Sequence, residues 1–292
     1  MKILTFDIEE WYLNHQRNGD WLNYKQYDKY LDAILDKLEQ QGTKATFFCV
    51  GEMGRLFPEV VKKIHKAGHE IGCHSNIHTW LNKMSVDECR EDTRCAVDSL
   101  EQCIGEKIKS YRAPAFSIGE SNKWAFEILA ENGIERDSSI FPATRDLGGF
   151  PNFGQKTPCT LEYKGIKLKE FTICTANLFG KEVAYSGGGY FRFFPLWFVR
   201  NQMQKSSYSI CYFHIGDLLP EKGGVPSRKE YEEYYKEPGT FKARYTRYLK
   251  TNIGKRNAFN KMAKLIDSLS FINVGEADIQ LDWQTAPRIQ LI

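Results

Sequence analysis

The chain has 292 residues, which is enough to bury the core of one large α/β domain or of two smaller ones. Its 42% hydrophobic and 26% charged residues are ordinary for a globular protein, and a net charge of +3 gives no reason to expect a nucleic-acid partner. The sequence lacks a stretch near the roughly 18 apolar residues of a membrane span. The N-terminus enters a strand-like segment at once, so we expect no signal peptide and a cytoplasmic protein.

The eight cysteines are scattered, without the short paired spacing of a zinc finger or a redox motif. Several of them, such as Cys49 and Cys211, lie within apolar runs. We therefore expect buried free thiols, which suit a reducing compartment, rather than disulfides.

Strand-like and helix-like segments alternate through the first half of the chain. The apolar runs predict strands at Lys2–Ile8, Ala45–Val50, His69–Cys73, Lys107–Arg112 and Ile134–Ser139. Helical spacing appears between them, around Leu31–Leu38, Phe57–Ile64, the capping box Ser85–Glu88 and Ser121–Glu131. This alternation predicts a parallel sheet or barrel.

The second half of the chain is less regular. It predicts a hairpin of Thr160–Tyr163 and Ile166–Thr172, a helix at Pro195–Gln204, an apolar strand at Tyr208–Phe213 and a last strand at Phe271–Val274. We see no linker, so we predict a single domain over residues 1–292. Its residues 221–292 would form a basic and aromatic segment packed on the barrel.

His74 and His78 are the clearest candidates for metal ligands. On one turn of helix, residues four apart lie side by side, with Cβ atoms roughly 5–6 Å apart. Both imidazoles could then reach one ion at the Zn–N distance of about 2.0–2.1 Å. His65 and His69 have the same spacing, but Gly68 between them is typical of a helix end, so we interpret that pair as a solvated terminus.

Further polar residues follow the other predicted strands. Asp7, Glu9 and Glu10 follow the first strand, Arg112 the fourth and His214 the late apolar strand. Active sites of α/β barrels lie where the carboxyl ends of the parallel strands meet. Two histidines and a carboxylate with an open position are typical of catalytic zinc. The pattern therefore predicts a hydrolytic metal site.

Five ordered motifs resemble those of the polysaccharide deacetylases of carbohydrate esterase family 4. They are Thr5-Phe-Asp7-Ile-Glu9, His74-Ser-Asn-Ile-His78, Tyr111-Arg112-Ala-Pro114, Asp137-Ser138-Ser139 and Phe213-His214. The resemblance implies an α/β fold, a distorted (β/α) barrel of about seven parallel strands with irregular C-terminal additions. It also implies metal-dependent removal of acetyl groups from sugars. Gly187–Arg192 and the end of the chain resemble a branch tied to exopolysaccharide and O-antigen synthesis.

The resemblance also implies catalytic roles. Asp7 would be the general base, Arg112 would hold its carboxylate, and His214 would be the general acid. Asp137 would tune His214. Backbone N–H groups near Tyr111–Ala115 would help to stabilise the oxyanion.

One divalent ion, zinc in many relatives, would be held by His74, His78 and a carboxylate. The commonest form of the first motif has a second aspartate where this chain has Ile8, which cannot bind metal. The carboxylate is therefore Glu9 or Glu10. Strand alternation places Glu9 on the same face as Asp7, which favours Glu9.

The expected partner is an N-acetylated sugar. In the cytoplasm such sugars are linked to nucleotides or to lipid diphosphates, and both carriers bear phosphate. The segment from 222 to 264 alternates tyrosines with basic residues, which are Lys222, Arg228, Lys229, Lys236, Lys242, Arg244, Arg247, Lys250, Lys255, Arg256, Lys261 and Lys264. This segment is either a solvated helical face or a flap that clamps a diphosphate or makes peripheral contact with an anionic membrane.

Two other functions stay open on the sequence alone. The altered first and fifth motifs are compatible with a non-sugar amide hydrolase of the allantoinase-like kind. A non-catalytic sugar-binding relative is the third reading, and it would be marked by loss of the base or of His214. Neither residue is lost here.

Overall fold

The computed structural model of the chain describes residues 1–17, 19–145, 148–178, 180–219, 224–235 and 237–291. Within those ranges the strands are β1 (Lys2–Ile8), β2 (Thr46–Cys49), β3 (Glu70–Cys73), β4 (Ser110–Tyr111), β5 (Arg136–Asp137), β6 (Cys159–Tyr163), β7 (Ile166–Glu170), β8 (Thr175–Leu178), β9 (Lys181–Ala184), β10 (Ser209–His214) and β11 (Arg288–Leu291).

The helices surround these strands. They are α1 (Glu10–Gln16), α2 (Trp21–Gln40), α3 (Glu52–Leu56), α4 (Pro58–Lys66), α5 (Val86–Ile104), α6 (Ala125–Glu131), α7 (Gly188–Phe193), α8 (Leu196–Lys205), α9 (Ile215–Leu218), α10 (Arg228–Tyr235), α11 (Phe241–Asn252), α12 (Ala258–Ser268) and α13 (Val274–Gln280). Short 3₁₀ turns lie at Leu81–Lys83, Pro114–Phe116, Glu120–Asn122 and Lys255–Asn257.

Nine of the strands form one sheet, in the order β10-β1-β2-β3-β4-β5-β7-β6-β11. The strands from β10 to β7 in that order are parallel, which confirms the predicted α/β fold with about seven parallel strands. β6 and β7 form the predicted antiparallel hairpin around Lys164 and Gly165. Because the parallel strands share one direction, their carboxyl ends lie along one edge of the sheet.

The gap between β7 and β10 is bridged by an irregular segment rather than by a ladder. Cys174 and Ser186 both donate to the carbonyl of Ile210 in β10, at 3.5 and 2.7 Å. The hydroxyl of Tyr208 donates to the carbonyl of Thr172 at 2.8 Å. These contacts give the barrel its distorted form.

β1 is the centre of the fold, because it is buried on both faces from Leu4 to Ile8. Such continuous burial is typical of a parallel strand covered by helices. Phe6 stacks on Phe47 of β2 with ring centroids 4.9 Å apart. This packing fixes where β1 ends, and therefore where Asp7 and Glu9 lie.

Two predicted strands are shorter than their apolar runs suggested. β4 and β5 each contain two residues, against six predicted for Lys107–Arg112 and for Ile134–Ser139. Arg112, Ser138 and Ser139 leave the ladder and use their side chains in a buried hydrogen-bond network. The strands stop where the polar site begins.

The predicted last strand, Phe271–Val274, is wrong. Only Ile272 bridges to Ile3, and Asn273 then caps α13 by accepting from the amide of Glu276. The final strand of the described chain is β11, which pairs with β6. The hairpin of β8 and β9 and the short α1 were also not predicted.

The segment beyond residue 224 contributes α10 to α13 and β11. α12 buries its apolar stripe of Met262, Leu265 and Ile266, whereas α11 buries no residue. Lys222 and Lys236 of the predicted basic segment lie outside the described residues. In the described chain, no helix combines the length and apolar character needed to cross a bilayer.

Candidate active site

Glu9, His74 and His78 form a compact cluster at the carboxyl edge of the sheet. Glu9 directly follows β1, and His74 directly follows β3. Glu9 Oε2 lies 2.5 Å from His78 Nε2 and 3.5 Å from His74 Nε2. Among the described residues, these three offer ligand atoms that all lie within 4.8 Å of one another. The structure thus brings together the three residues expected to hold metal.

The loop that carries the two histidines is not helical. The prediction that His74 and His78 lie side by side on one turn of helix is therefore wrong. Ser75 and His78 both have positive φ, 57° and 59°, in the left-handed region that non-glycine residues seldom adopt. The carboxylate of Asp92 on α5 accepts from the amide of Asn76 at 2.8 Å and holds this turn in place. Burial raises the pKa of Asp92 to about 6. A bent loop, not a helix turn, brings His78 back beside His74.

The cluster has the features expected of a divalent cation site. The Nδ1–H of His74 donates to the carbonyl of Arg112 at 2.6 Å, which leaves Nε2 with its lone pair facing Glu9. Glu9 Oε2 is buried, and apart from the two imidazole nitrogens beside it, it has no polar partner among the described residues. Burial favours the neutral form of Glu9, but the charges of His78 and His214 hold its pKa well below the ordinary value. An ionised carboxylate with an unsatisfied oxygen beside two imidazoles fits a metal ion.

Glu10 faces away from this cluster. Its Oε1 accepts from the amide of Gly216, at the start of α9, at 2.5 Å. Burial and the charge of Glu9 raise the pKa of Glu10 to about 8, so it is largely neutral at pH 7. The alternation argument from β1 is therefore consistent with the structure, in which Glu9, not Glu10, meets the histidines.

Arg112 is fully buried and holds Asp7. Its Nη1 donates to Asp7 Oδ1 and to Thr5 Oγ1, each at 2.8 Å, and its Nη2 donates to Ser138 Oγ at 3.0 Å. The guanidinium also lies 4.3 Å from the ring centroid of Phe48. A buried ion pair such as Arg112 and Asp7 is stable only because nearly every N–H group of the guanidinium has a hydrogen-bond acceptor. The carboxylate of Asp7 is thereby fixed in one orientation.

His214 lies beside Asp7, because β10 and β1 are neighbouring strands and these two residues are register partners. His214 Nε2 is 3.6 Å from Asp7 Oδ2. On the other side of the ring, Nδ1 lies 2.8 Å from Asp217 Oδ2. Asp217 in turn is 3.3 Å from Arg192 Nη2 on α7.

The ionisation of His214 follows from this setting. Burial alone would lower its pKa, but Glu9, Asp217 and Asp7 together raise the pKa well above the ordinary histidine value. Burial acts to raise the pKa of Asp217, yet its hydrogen bond to His214 and the charges of His214 and Arg192 lower it. The imidazole is therefore held in its protonated form.

Asp137 does not contact His214, and the role that the sequence assigned to it falls to Asp217. Asp137 Oδ1 accepts from Ser139 Oγ at 2.6 Å. Burial raises the pKa of both Asp137 and Glu170, which interact with each other. Asp137 Oδ2 and Glu170 Oε2 are buried and have no hydrogen-bond partner in the rest of the described chain, which fits a pair that retains a proton. This pair supports Ser138 and Ser139 behind Arg112.

Tyr234 on α10 is a site neighbour that the sequence did not single out. Its ring meets Trp80 edge-on, with centroids 6.4 Å apart, and Arg17 lies 5.5 Å from its centroid. Trp80 follows His78 by two residues. Burial and the charge of Glu9 raise the pKa of Tyr234. α10 therefore lies beside the cluster of Glu9, His74 and His78.

Two arginines of the predicted phosphate clamp are already used within the fold. Arg244 donates to the carbonyls of Gly239 and Pro226, at 3.1 and 2.8 Å. The guanidinium of Arg247 lies 4.5 Å from the ring centroid of Tyr235. Arg244 thus ties α11 to the segment before α10, which speaks against a free clamp built around it.

Known proteins share parts of this chain. Residues 3–136 match the family model described as polysaccharide deacetylase, and residues 138–278 match a domain of unknown function, DUF3473. A peptidoglycan-N-acetylglucosamine deacetylase from Bacillus cereus is 40% identical over 100 residues, which are 34% of this chain and 36% of that protein. The chain thus spans about a third of the length of this curated relative.

Solved structures share the fold at low sequence identity. A candidate polysaccharide deacetylase from Mycobacterium smegmatis has a TM-score of 0.65 at 17% identity, covering 100% of this chain and 93% of that chain. A CE4-family pseudoenzyme from Bacillus anthracis has a TM-score of 0.50 at 15% identity, covering 100% of this chain and 69% of that chain. At these identities the likeness concerns the fold alone.

Over residues 3–136 the chain matches the polysaccharide deacetylases, the family that the sequence motifs resemble. The resemblance inferred from the five motifs is confirmed at that level. The first three motifs lie within the matched residues 3–136, whereas Phe213-His214 lies within the second matched range. The link to O-antigen and exopolysaccharide synthesis lies beyond these matches and stays a prediction.

Proposed function

We propose that the protein is a metal-dependent deacetylase that hydrolyses the N-acetyl group of a sugar. The observation that carries this proposal is the pairing of Asp7 with His214, 3.6 Å apart, beside a three-residue cluster suited to metal. A base, an acid and a metal site in one pocket are the groups that amide hydrolysis needs. The Bacillus cereus relative, a deacetylase by name, supports the choice of reaction.

Glu9, His74 and His78 would hold the metal ion. We propose zinc, because two imidazoles and one carboxylate with an open position are typical of catalytic zinc. Bound there, the ion would acidify a water molecule and polarise the acetyl carbonyl. Every other task falls to the side chains and backbone of the chain.

Asp7 is the proposed general base. Arg112 fixes one of its carboxylate oxygens, Oδ1, and the other oxygen, Oδ2, faces His214. Oδ2 accepts the proton of the water that attacks the acetyl carbon. A base held in one orientation loses little entropy when the substrate arrives.

His214 is the proposed general acid. Its Nδ1–H is donated to Asp217, so the proton that it transfers is the one on Nε2. This proton passes to the sugar nitrogen as the carbon–nitrogen bond breaks, which releases acetate and a free amine. The raised pKa of His214 keeps that proton in place until the leaving amine needs it.

The oxyanion is expected to meet the backbone that follows β4. Of residues 111–115, Arg112 and Ala113 already donate their amides to Cys73 and Ser139, and Pro114 has no amide hydrogen. Ala115 follows with a φ of 55°, which turns the chain sharply at this point. We propose the amide of Ala115 as a backbone donor to the developing oxyanion.

We further propose that residues 1–292 act as one domain in the cytoplasm. Two observations support the single domain: strands from both matched ranges enter one sheet, and Ile272 exchanges backbone hydrogen bonds with β1. The substrate would then be an N-acetyl sugar on a nucleotide or lipid-diphosphate carrier, in the synthesis of O-antigen or exopolysaccharide. The exposed lysines Lys242 and Lys250 of the segment from 224 to 264 support a phosphate-bearing carrier.

A release assay tests the proposal. The protein, stripped of metal and reloaded with zinc, is incubated with a chito-oligosaccharide, a nucleotide-linked N-acetyl sugar and a lipid-diphosphate-linked N-acetyl sugar, and acetate is measured. We expect acetate from at least one substrate, dependent on metal and lost in Asp7→Asn. No acetate from any of the three would refute the proposal.

One alternative has a specific observation in its favour. The fifth motif is altered to His214-Ile-Gly-Asp217, and the first motif has Ile8 in place of an acid, as in non-sugar members of the fold. Under this alternative, small cyclic or linear amides such as allantoin would be hydrolysed and N-acetyl sugars would not. A non-catalytic role is disfavoured because Asp7 and His214 are both present and in contact range.

A further inference from the structure

α11 presents its apolar side to solvent instead of to the core. Phe241, Tyr245, Leu249 and the capping residue Ile253 recur every fourth position, and their side chains are 66%, 44%, 49% and 48% exposed. Residues at this spacing lie on one face of a helix. Single exposed apolar residues are ordinary, but four in one row along about 18 Å of helix are not.

The inward side of α11 is the more polar one. It carries Arg244, Arg247 and Tyr248, all half-buried, and it makes polar contacts with the rest of the protein. This is the reverse of the usual surface helix, whose apolar stripe faces the core. Packing within the chain therefore does not account for the apolar row.

The same helix is strongly basic. Lys242, Arg244, Arg247 and Lys250 are its only charged residues, and it contains no acidic residue. Lys242 and Lys250 lie on the exposed face, directly after Phe241 and Leu249 in the sequence. Beside them, a groove between α10 and α11 is lined by Lys242, Arg247 and Lys250, without an acidic residue among its described lining.

Exposed aromatic residues continue beyond the C-terminal end of α11. Arg192 on α7 donates to the backbone carbonyls of Lys250 and Thr251, so α7 packs against that end. Phe193, the next residue, and Trp197 on α8 are 64% and 65% exposed. Aromatic and basic residues together are enriched where proteins meet the headgroup region of a bilayer.

We propose that α11 docks the protein on an anionic membrane surface, with the row of Phe241, Tyr245, Leu249 and Ile253 inserted among the lipids. Charge complementarity selects this occupant, since each basic residue near an anionic bilayer strengthens partitioning by about fivefold. The same α7 residue that contacts α11, Arg192, also pairs with Asp217 beside His214. Docking therefore brings the candidate active site close to the membrane, where a lipid-linked sugar would be presented. This inference concerns binding and does not depend on the proposed reaction.

Vesicle binding tests the proposal directly. The probes are unilamellar vesicles of phosphatidylglycerol and phosphatidylcholine in about equal parts, compared with vesicles of phosphatidylcholine alone. We expect the protein to co-sediment with the anionic vesicles, and more weakly as the salt concentration rises. Binding to neither vesicle, or equal binding to both, would overturn the proposal.

Two sets of substitutions separate the apolar and electrostatic contributions. Phe241→Ser/Tyr245→Ser/Leu249→Ser should reduce partitioning onto anionic vesicles by about a hundredfold or more, because burying each side chain contributes on the order of tenfold. Lys242→Gln/Lys250→Gln should reduce it by about thirtyfold and flatten the salt dependence. None of the three apolar residues is buried, so folding should survive, and circular dichroism checks this.

The chain offers a matched control. Ile279 on α13 is 86% exposed and belongs to the helix that caps the opposite, N-terminal ends of β2 and β3. Ile279→Ser should bind vesicles as the wild type does, and so should the inactive Asp7→Asn. If the triple variant binds anionic vesicles as the wild type does, the membrane assignment is wrong. It is also wrong if the wild type does not bind vesicles but forms a concentration-dependent dimer that the triple variant loses. Vesicle binding without any deacetylation would refute the proposed function alone.

Discussion

Asp217 Oδ2 lies 2.8 Å from Nδ1 of His214, and this contact turns the opposite ring nitrogen toward Asp7. The two residues are three apart, so a single short turn at the start of α9 provides the contact. A carboxylate on Nδ1 orients the imidazole and stabilises its protonated form. The pKa of His214, the proposed acid, is therefore raised by a residue of its own loop rather than by Asp137 on β5.

Asp217→Asn should shift the pH dependence of hydrolysis. Since Asp217 raises the pKa of His214, its loss should lower that pKa. The acid works only when protonated, so activity falls as pH rises through its pKa, and the alkaline limb of kcat/KM should move to lower pH. Asp282→Asn, at an exposed aspartate that binds only its own turn, should leave the profile unchanged. An unmoved alkaline limb in Asp217→Asn would show that another group tunes His214.

Glu9→Ala should weaken metal binding far more than Glu10→Gln. Glu9 Oε2 faces both imidazoles, whereas Glu10 binds the amide of Gly216. Loss of even an outer-shell partner costs about 10–100-fold in metal affinity, and loss of a direct ligand should cost at least that. Glu10→Gln is close in shape to the protonated Glu10 and should change affinity little. Competition titration with a chromogenic chelator measures both, and the reverse order would transfer the ligand role to Glu10.

Asp7→Asn should abolish turnover while the protein still binds metal. The amide keeps the shape of the side chain but cannot accept the water proton, and Glu9, His74 and His78 remain in place. His214→Ala should reduce kcat by about 10²–10⁴-fold, the usual contribution of one general acid or base. Metal content and acetate release are measured on the same samples. Near-native activity in Asp7→Asn would contradict the assigned base.

Glu170→Gln should be tolerated, in contrast to Glu170→Ala. Burial and the charge of Asp137 raise the pKa of Glu170 well above the ordinary carboxyl range, so it is protonated at neutral pH. Glutamine can still donate to Asp137 and should change the free energy of unfolding by about 1 kcal/mol or less. Alanine leaves Asp137 and the amide of Ile140 unpaired and should cost about 2–4 kcal/mol.

The same pair predicts how stability varies with pH. A group whose pKa is raised by folding stabilises the fold at low pH and loses that contribution as pH rises through the raised value. The contribution of Glu170 should therefore fall as pH rises from the ordinary carboxyl range, so the unfolding free energy of the wild type should fall relative to that of Glu170→Gln over this window. Urea unfolding at several pH values measures both. Parallel curves for the two proteins would show that Glu170 is ionised in the folded state.

The residue types of the site were predictable because apolar runs in the sequence show where the strands end. Apolar runs located β1, β3 and β10, and the parallel sheet then required that the polar residues after them meet at one edge. This reasoning predicted that Asp7, His74 and His214 lie close together before any contact between them was known. The alternation of side chains between the two faces of β1 also predicted that Glu9, and not Glu10, lies on the same face as Asp7.

The parts that could not be predicted depend on backbone conformation and on choices among equivalent residues. The sequence does not predict the left-handed conformations of Ser75 and His78, because neither residue is glycine. Asp137 was expected to tune His214, but Asp217 contacts the imidazole instead, and only the positions of these residues in space show this. One missed signal was available: Asn273 and Glu276 form a capping box, which predicts a helix where a strand was expected.

The pairing of β1 with β10 has a consequence for how the chain folds. Next to Asp7 and His214, the hydrogen bond from Thr5 to Cys211 joins residues 206 positions apart. Contacts of such high sequence separation require a large loop to close and tend to form slowly. Glu9, His74 and His78 lie at or just after the first strands to be synthesised, whereas the imidazole of His214 arrives with β10, much later in the chain. During synthesis, the chain should assemble its ligand cluster first and remain unable to protonate a leaving group until β10 docks beside β1.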